Sequence, residues 1–367
     1  MTESMRELRI SPAAISANVE KLIADAKTPD AMVVVKADGY GHGAIVAARA
    51  ALEGGATWLG TADITEALEL RESGISAPTL AWLIGPESDL VSAISADIDL
   101  GISSLGQLEA VAKAASGIRR ASVHLKIDSG MGRGGATERD WAELFGRARA
   151  LQDSGAVSVR GVFTHMSLKS ESSDAEQAEV FRRAVGLLRE AGIDPELTHA
   201  ASSTVAARSS DLRFDMVRLG VASYGVPVTA AHEEMGLTPA MRFRGQVIVV
   251  KRLPAGHGVG YDMTYTTERE TTMALVPLGY ADGVPRHGSS IGPVSIGDKR
   301  FHIAGRVSMD QVTIDVGDTP VSVGEWATLW GDPARGEPHV SQWADAIGTN
   351  SYELITRVGH RVRRVIE

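Results

Sequence analysis

A chain of 367 residues, 44% hydrophobic and 23% charged, has the balance of an ordinary folded protein and is long enough for a large α/β barrel plus a second, smaller domain. Its net charge of −9 leaves no basic surplus to neutralise a nucleic-acid backbone, and the absence of cysteine excludes disulfides and thiolate metal sites. No apolar run has signal-peptide or bilayer length, which with the missing cysteines predicts a cytoplasmic protein with no membrane partner.

The first predicted element is a helix, SPAAISANVEKLIADA (11–26). From there to about residue 220, short apolar runs alternate with helical stretches. The runs are AMVVVK (31–36), TWLGT (57–61), TLAWLI (79–84), DIDLGI (97–102), SVHLKI (122–127), VSVRGVFTH (157–165), ELTHA (196–200) and FDMVRLG (214–220). The helical stretches include DITEALELRES (63–73), SLGQLEAVAKAA (104–115) and DAEQAEVFRRAVGLLREAG (174–192). In the last of these Ala178, Phe181, Val185 and Leu188 share one face, and Gly192 suits a C-cap. Strands separated by helices imply a parallel sheet, and eight of them predict a closed (β/α)8 TIM-like barrel, with a doubly wound sheet as the alternative. Beyond about residue 235 the texture turns to Val, Thr and Ile with Gly and Pro between, and only VSQWADAIG (340–348) reads as helix. The expected division is a barrel over 1–234 and a mostly β domain over 235–367.

Barrel chemistry gathers at the C-terminal ends of the strands. Lys36 closes the first run, Arg133 follows the fifth in KIDSGMGRGG, and His165 closes the sixth. Ser202 and Ser203 follow the seventh, and Arg218 lies near the end of the eighth. Singly, each has a plain explanation: an edge lysine, a core histidine, a rim ion pair. Together they fall at one mouth. Gly39, Gly41 and Gly43 read as turn residues, His42 as an exposed side chain, and GDKRFHIAGRVSMD (297–310) as a polar-edged hairpin. The ten histidines include no HxH or HxxxH spacing, so no metal site is expected. Lys36 poses the sharpest question, because an ammonium ending a buried strand is costly unless it is paired or has reacted.

The stretch VVKADGYGHG resembles the pyridoxal-phosphate signature of the alanine racemases. DSGMGR, THMS, HAASS, DMVRLG, GVGYDMTYT, PLGYADG, GRVSMDQ and NSYE follow in that family's order over nearly the whole chain. The resemblance implies a barrel carrying pyridoxal 5'-phosphate and a C-terminal domain that covers the mouth of a partner's barrel in a head-to-tail homodimer. It implies Lys36 as the Schiff-base lysine and Tyr261, given by the partner subunit, as the opposite base. Arg133 would meet the cofactor's phenolic oxygen, and Lys126 matches a lysine that is often carbamylated. Tyr40, Trp82, His165, Ser203, Gly220, Val221 and Tyr352 fall at cofactor-binding positions. Met309, Asp310 and the gate residue Tyr280 fall with Arg133 at substrate-binding ones, and Arg286 and Arg306 along the access path. Three substitutions depart from the family pattern: Asp262 for a glycine after the tyrosine, Ser202 for an asparagine, and Ser308 for a cysteine.

The implied reaction is interconversion of L- and D-alanine, with D-alanine supplied to peptidoglycan. Inversion needs a proton removed on one face and delivered on the other, hence two bases whose free pKa values lie near 10. Lys36 and Tyr261 form the expected pair, with His165 and Arg218 beside the tyrosine. Arg218 would face the cofactor's pyridine nitrogen, where a guanidinium donates but does not supply a stable pyridinium. That disfavours a decarboxylase of the same fold. A racemase of serine or lysine remains the other reading, whereas a silent pyridoxal-phosphate carrier would need neither Tyr261 nor the C-terminal domain.

Overall fold

The computed structural model describes residues 4–367. Its first element is a strand absent from the sequence expectation, β1 (Arg6–Ile10). Leu8 and Ile10 alternate inward and are fully buried. β1 pairs antiparallel with the strand Met241–Gln246 and parallel with Arg363–Ile366. The chain thus begins inside the C-terminal sheet, and only then does helix α1 (Pro12–Ala26) carry it to the barrel. Pro12 starts α1 because its missing N–H costs nothing there, and the Ser11 hydroxyl accepts from the N–H of Ala14.

Eight parallel strands follow: β2 (Asp30–Val34), β3 (Trp58–Asp63), β4 (Thr79–Leu83), β5 (Asp99–Ile102), β6 (Ala121–Lys126), β7 (Val157–Phe163), β8 (Leu197–His199) and β9 (Met216–Leu219). They pair in the order β8-β7-β6-β5-β4-β3-β2-β9. The ring closes between β9 and β8 through a Ser202–Arg218 bridge, with Asp215 N donating to Thr198 O at 3.0 Å and Arg218 N to Ala201 O at 2.9 Å. The TIM-like barrel is therefore the fold, not a doubly wound sheet. The long helix after β7 runs Glu171–Glu190 with Ala178, Phe181, Val185 and Leu188 buried; Gly192, at φ 86°, lies just past the Ala191 cap.

Beyond residue 240 the chain is strand-rich. β1 and its two neighbours belong to a six-stranded sheet completed by Trp326–Trp330, Pro293–Ile296 and Lys299–His302. The strands Val249–Leu253, Thr271–Val276 and Val312–Gly317 form a second sheet. Lys299–His302 folds back on Pro293–Ile296 rather than on later residues, so 297–310 supplies one arm of a hairpin and is not a hairpin itself. His42 is also corrected: it is 1% exposed, with Nδ1 3.0 Å from the carbonyls of Gly39 and Tyr40. No helix among the described residues is long and apolar enough to cross a membrane.

Candidate active site

One cavity, about 890 Å³ counting its open mouth, sits at the C-terminal ends of the barrel strands. Lys36, Tyr40, Trp82, Lys126, Arg133, His165, Ser203, Arg218, Gly220, Val221 and Tyr352 all line it, as does Ser202. Eleven scattered positions singled out in the sequence, plus Ser202, therefore meet in one place.

Lys36 ends the strand segment and opens an unusual turn. Ala37, Asp38, Gly39, Tyr40 and Gly41 all have positive φ, between 52° and 80°. Left-handed backbone costs a non-glycine residue about 1–2 kcal/mol, so the turn persists only because its surroundings fix it. Glu66 accepts from Ala37 N at 2.7 Å, and Asp38 accepts from Ala44 N at 2.8 Å. Gly41 has a further reason to be glycine: a Cβ there would lie 2.2 Å from the carbonyl oxygen of Ile355. The turn thus seats against the helix Ser351–Thr356, which holds Tyr352 over the cavity.

The other side chains arrive on equally defined supports. Asp128 accepts from Gly130 N and Gly132 N at 3.0 and 3.1 Å, shaping the loop that presents Arg133. Ser203 Oγ accepts from Gly220 N at 2.9 Å, and a Cβ on Gly220 would lie 3.0 Å from the Tyr40 hydroxyl. Arg218 is buried; its Nη2 donates to Thr164 O and Ala200 O at 2.7 and 2.8 Å, and its Nη1 to His199 Nδ1 at 3.0 Å.

Electrostatics follow from four cationic groups, Lys36, Lys126, Arg133 and Arg218, in a cavity that no carboxylate among the described residues lines. Burial, then Arg133, lowers the pKa of Lys36; burial, Arg133 and Arg218 lower that of Lys126. His165 is pushed down to about 3 by burial and by the same cations, Arg218 foremost. Burial raises Tyr40, so its hydroxyl stays protonated and can donate. The cavity is built to receive an anion and to lower the pKa of the amines that line it.

Residues 10–227 match the profile of the alanine racemase N-terminal domain and residues 240–366 that of the alanine racemase C-terminal domain. The chain belongs to the alanine racemase family. It is 46% identical to the alanine racemase of Thermobifida fusca (strain YX) over 366 residues, covering 99% of this chain and 98% of that protein. The alanine racemase of Salinispora tropica is likewise 46% identical, over 96% of this chain and 95% of its own. Among solved structures, alanine racemase from D-cycloserine-producing Streptomyces lavendulae superposes with a TM-score of 0.97 at 43% identity, covering 100% of this chain and 98% of that one.

Set against that family resemblance, four expected residues lie outside the cavity of their own chain. Tyr261, Tyr280 and Met309 are exposed, at 67%, 44% and 52%, and Asp310 pairs with Arg361 at 2.7 Å. Tyr280 and Met309 nonetheless form one unit, since Tyr280 N donates to Ser308 O and Ala281 N to Met309 O at 3.0 and 2.9 Å. The backbone N–H of Met309 makes no hydrogen bond among the described residues. Arg286 lies beside Tyr280, whereas Arg306 sits 2.9 Å from Asp262, a charge contact whose N–H is not aimed at the carboxylate. Sequence reasoning missed Val34, Phe163, Leu168 and Thr204 in the lining, and His199 behind Arg218. His199 was visible only as a polar residue within an apolar run.

Proposed function

We propose that this protein is a pyridoxal-phosphate-dependent racemase that interconverts L- and D-alanine, working as a head-to-tail homodimer in the cytoplasm and supplying D-alanine for peptidoglycan. The carrying observation is Lys36, a half-buried amine with lowered pKa and no hydrogen bond among the described residues, at a cavity of cations. The residues present fit the cofactor. Ser202 Oγ is buried and makes no hydrogen bond among the described residues, and Tyr40, Ser203, Gly220, Val221 and Tyr352 line the same cavity, a set of hydroxyls and backbone that suits a phosphate. When bound, pyridoxal phosphate supplies an aldehyde that captures amines and a ring that delocalises the charge left when a Cα bond breaks.

The chain's own groups do the rest. Lys36 moves the proton on one face of the substrate. Tyr261, delivered by the partner subunit's C-terminal domain, moves it on the other, which accounts for its exposure in a single chain. In this reading residues 11–234 form the cofactor barrel, and β1 joins 235–367 in the domain that reaches across. Arg133 and Trp82 would help hold the cofactor, Arg133 as a donor to its phenolic oxygen, and the N–H of Met309 would meet the substrate carboxylate beside Asp310 and Tyr280. Lys126, with its amine pushed toward neutrality, suits carbamylation, which would place an anion next to Arg133. Arg218 would stand as a donor toward the cofactor's pyridine nitrogen, a partner that favours reversible proton transfer over decarboxylation.

The test is to incubate purified protein with L-alanine, L-serine and L-lysine, with and without added pyridoxal phosphate, and to assay each D-enantiomer. D-alanine should form fastest, and borohydride should fix a pyridoxyl group on Lys36. Colourless protein with an unmodified Lys36 and no D-amino acid overturns the reading.

A further inference from the structure

Arg218 is a buried cation with no carboxylate in contact among the described residues: its partners are two carbonyl oxygens and two imidazole nitrogens. Behind it a chain of hydrogen bonds crosses the barrel interior. His199 Nδ1 accepts from Arg218 Nη1 at 3.0 Å, His199 Nε2 lies 2.9 Å from His124 Nδ1, and His124 Nε2 lies 3.0 Å from Asp99 Oδ2. All four residues are 7% exposed or less. Asp99 opens β5 at the N-terminal end of the barrel, whereas Arg218 faces the cavity at the other end.

The proton positions in this chain are determined from both ends. A guanidinium only donates, so His199 Nδ1 is bare. Burial holds His199 neutral, so its proton sits on Nε2 and is given to His124 Nδ1. A carboxylate only accepts, so His124 Nε2 carries the proton given to Asp99. Both ends demand the same polarity. The rings are also clamped: Phe163 stacks on His199 with centroids 4.9 Å apart, and Trp58 meets His124 edge-on at 5.4 Å. Gly161 leaves the space, since a Cβ there would come within 2.3 Å of His124 Nδ1.

We propose that Asp99, His124 and His199 are positioning residues that transmit a carboxylate's polarity through the barrel to Arg218, fixing the guanidinium as an oriented donor at the cavity. Unpaired buried cations are costly, and a polarised imidazole pair relays the field of Asp99 without putting a second anion in the site. Arg160 also meets Asp99, at 3.4 Å, but its side chain is 31% exposed and reaches outward to Glu196. It caps the chain without entering it. The inference rests on the racemase reading of Arg218, but its first test needs no turnover.

That test is long-range proton–nitrogen NMR on holoenzyme labelled with 15N-histidine, assigned with single histidine variants. His124 and His199 should both be neutral with the proton on Nε2; a proton on Nδ1, or on both nitrogens, overturns the relay. Kinetics supply the second arm. Asp99→Asn removes the charge, and His199→Asn keeps an acceptor for Arg218 while cutting the link to His124. Each should lower kcat by roughly tenfold with little change in KM, and the double variant should fall no further, because both cut one chain. The absorption band of the bound cofactor should shift in both, whereas Arg160→Gln should lower stability and leave the band, the tautomers and kcat unchanged. If Asp99→Asn lowers only the melting temperature and leaves kcat and the band alone, the chain is structural and the proposal fails. If no D-alanine forms in wild type yet the tautomers are as described, the racemase reading fails and the relay stands.

Discussion

Arg218 Nη2 lies 3.3 Å from His165 Nδ1, and because a guanidinium can only donate, that nitrogen of His165 carries no proton. His165 is therefore neutral, with Nε2–H as its one donor, and its pKa of about 3 agrees. A histidine in that state orients a neighbour but does not gain or lose protons near neutral pH. His165→Asn, which keeps an acceptor where Nδ1 stands, should leave both limbs of the kcat/KM pH profile in place. Loss of a limb would return His165 to acid–base duty.

Acid stability follows from the same burial. His42 falls to about 4 through burial alone, against 6.5 for a free imidazole, and His165 to about 3. With folded pKa values below the unfolded one, the unfolded chain binds more protons across this window. Stability is thus full above about pH 6.5 and is lost as the pH falls toward the folded values, by about 1.4 kcal/mol per pH unit for each buried histidine. Thermal melts at neutral pH and near pH 5 should differ by several degrees. Equal midpoints would mean these rings ionise within the fold.

Two glycines of the Lys36 turn separate sterics from backbone conformation. Both have positive φ, 80° at Gly41 and 97° at Gly43, but only Gly41 faces a rigid obstacle, the Ile355 carbonyl 2.2 Å from an added Cβ. At Gly43 the nearest atom is a Val46 side-chain carbon at 3.8 Å. Gly43→Ala, at φ 97° and ψ 112°, should cost about 1–3 kcal/mol of unfolding free energy, from backbone conformation alone. Gly41→Ala should cost about 3 kcal/mol or more and weaken cofactor retention, because it displaces the helix bearing Tyr352. Denaturant titrations that give equal losses would contradict this.

The barrel was legible because its strands are largely buried on both faces and read as apolar runs, each ending within two residues of the end of its strand among β2 to β9. Lys36, Arg133, His165, Ser203 and Arg218 were legible for a related reason: polar residues at the ends of such runs have one place to go. β1 was not. Its five residues alternate correctly, but its partners lie more than two hundred residues away, and no local pattern announces them. His42 was misjudged because its carbonyl partners exist only once the turn adopts left-handed backbone. His124 and Asp99 are polar residues inside strand runs, and only the closed barrel brings them together with His199. Tyr261, Tyr280, Met309 and Asp310 came from family resemblance alone, since nothing in one chain draws them to the cavity.

Delivery of Tyr261 across a dimer makes a mixing experiment decisive. Lys36→Ala removes the cofactor anchor and Tyr261→Phe the opposite acid, so each homodimer should lose activity by about 10²-fold or more. Unfolded and refolded together, half the dimers pair one of each, and each mixed dimer holds one intact site. Recovery of up to about a quarter of wild-type activity is expected from that symmetry. No recovery, with mixed dimers verified by mass, would place Tyr261 in its own subunit's site. Tyr261→Phe alone should also slow the two directions unequally, as expected of a two-base mechanism.

Asp262 offers the sharpest chain-specific test. It stands at φ 59°, where glycine is at ease, and its carboxylate contacts Arg306 at 2.9 Å. Replacing it with glycine relieves about 1–2 kcal/mol of left-handed strain but returns about 0.5–1 kcal/mol of chain entropy to the unfolded state. The exposed charge contact is worth about 0–1 kcal/mol, so stability should hardly move. Activity should, because Tyr261 immediately precedes the position and Arg306 is the side chain the contact restrains. Asp262→Gly is expected to lower kcat roughly threefold to tenfold at an unchanged melting temperature. Asp262→Asn, which tolerates the same backbone without the charge, divides the causes: kcat near wild type assigns the effect to backbone freedom, and kcat near that of the glycine variant assigns it to the hold on Arg306. Wild-type kcat in both variants would make Asp262 a surface residue that Tyr261 does not feel.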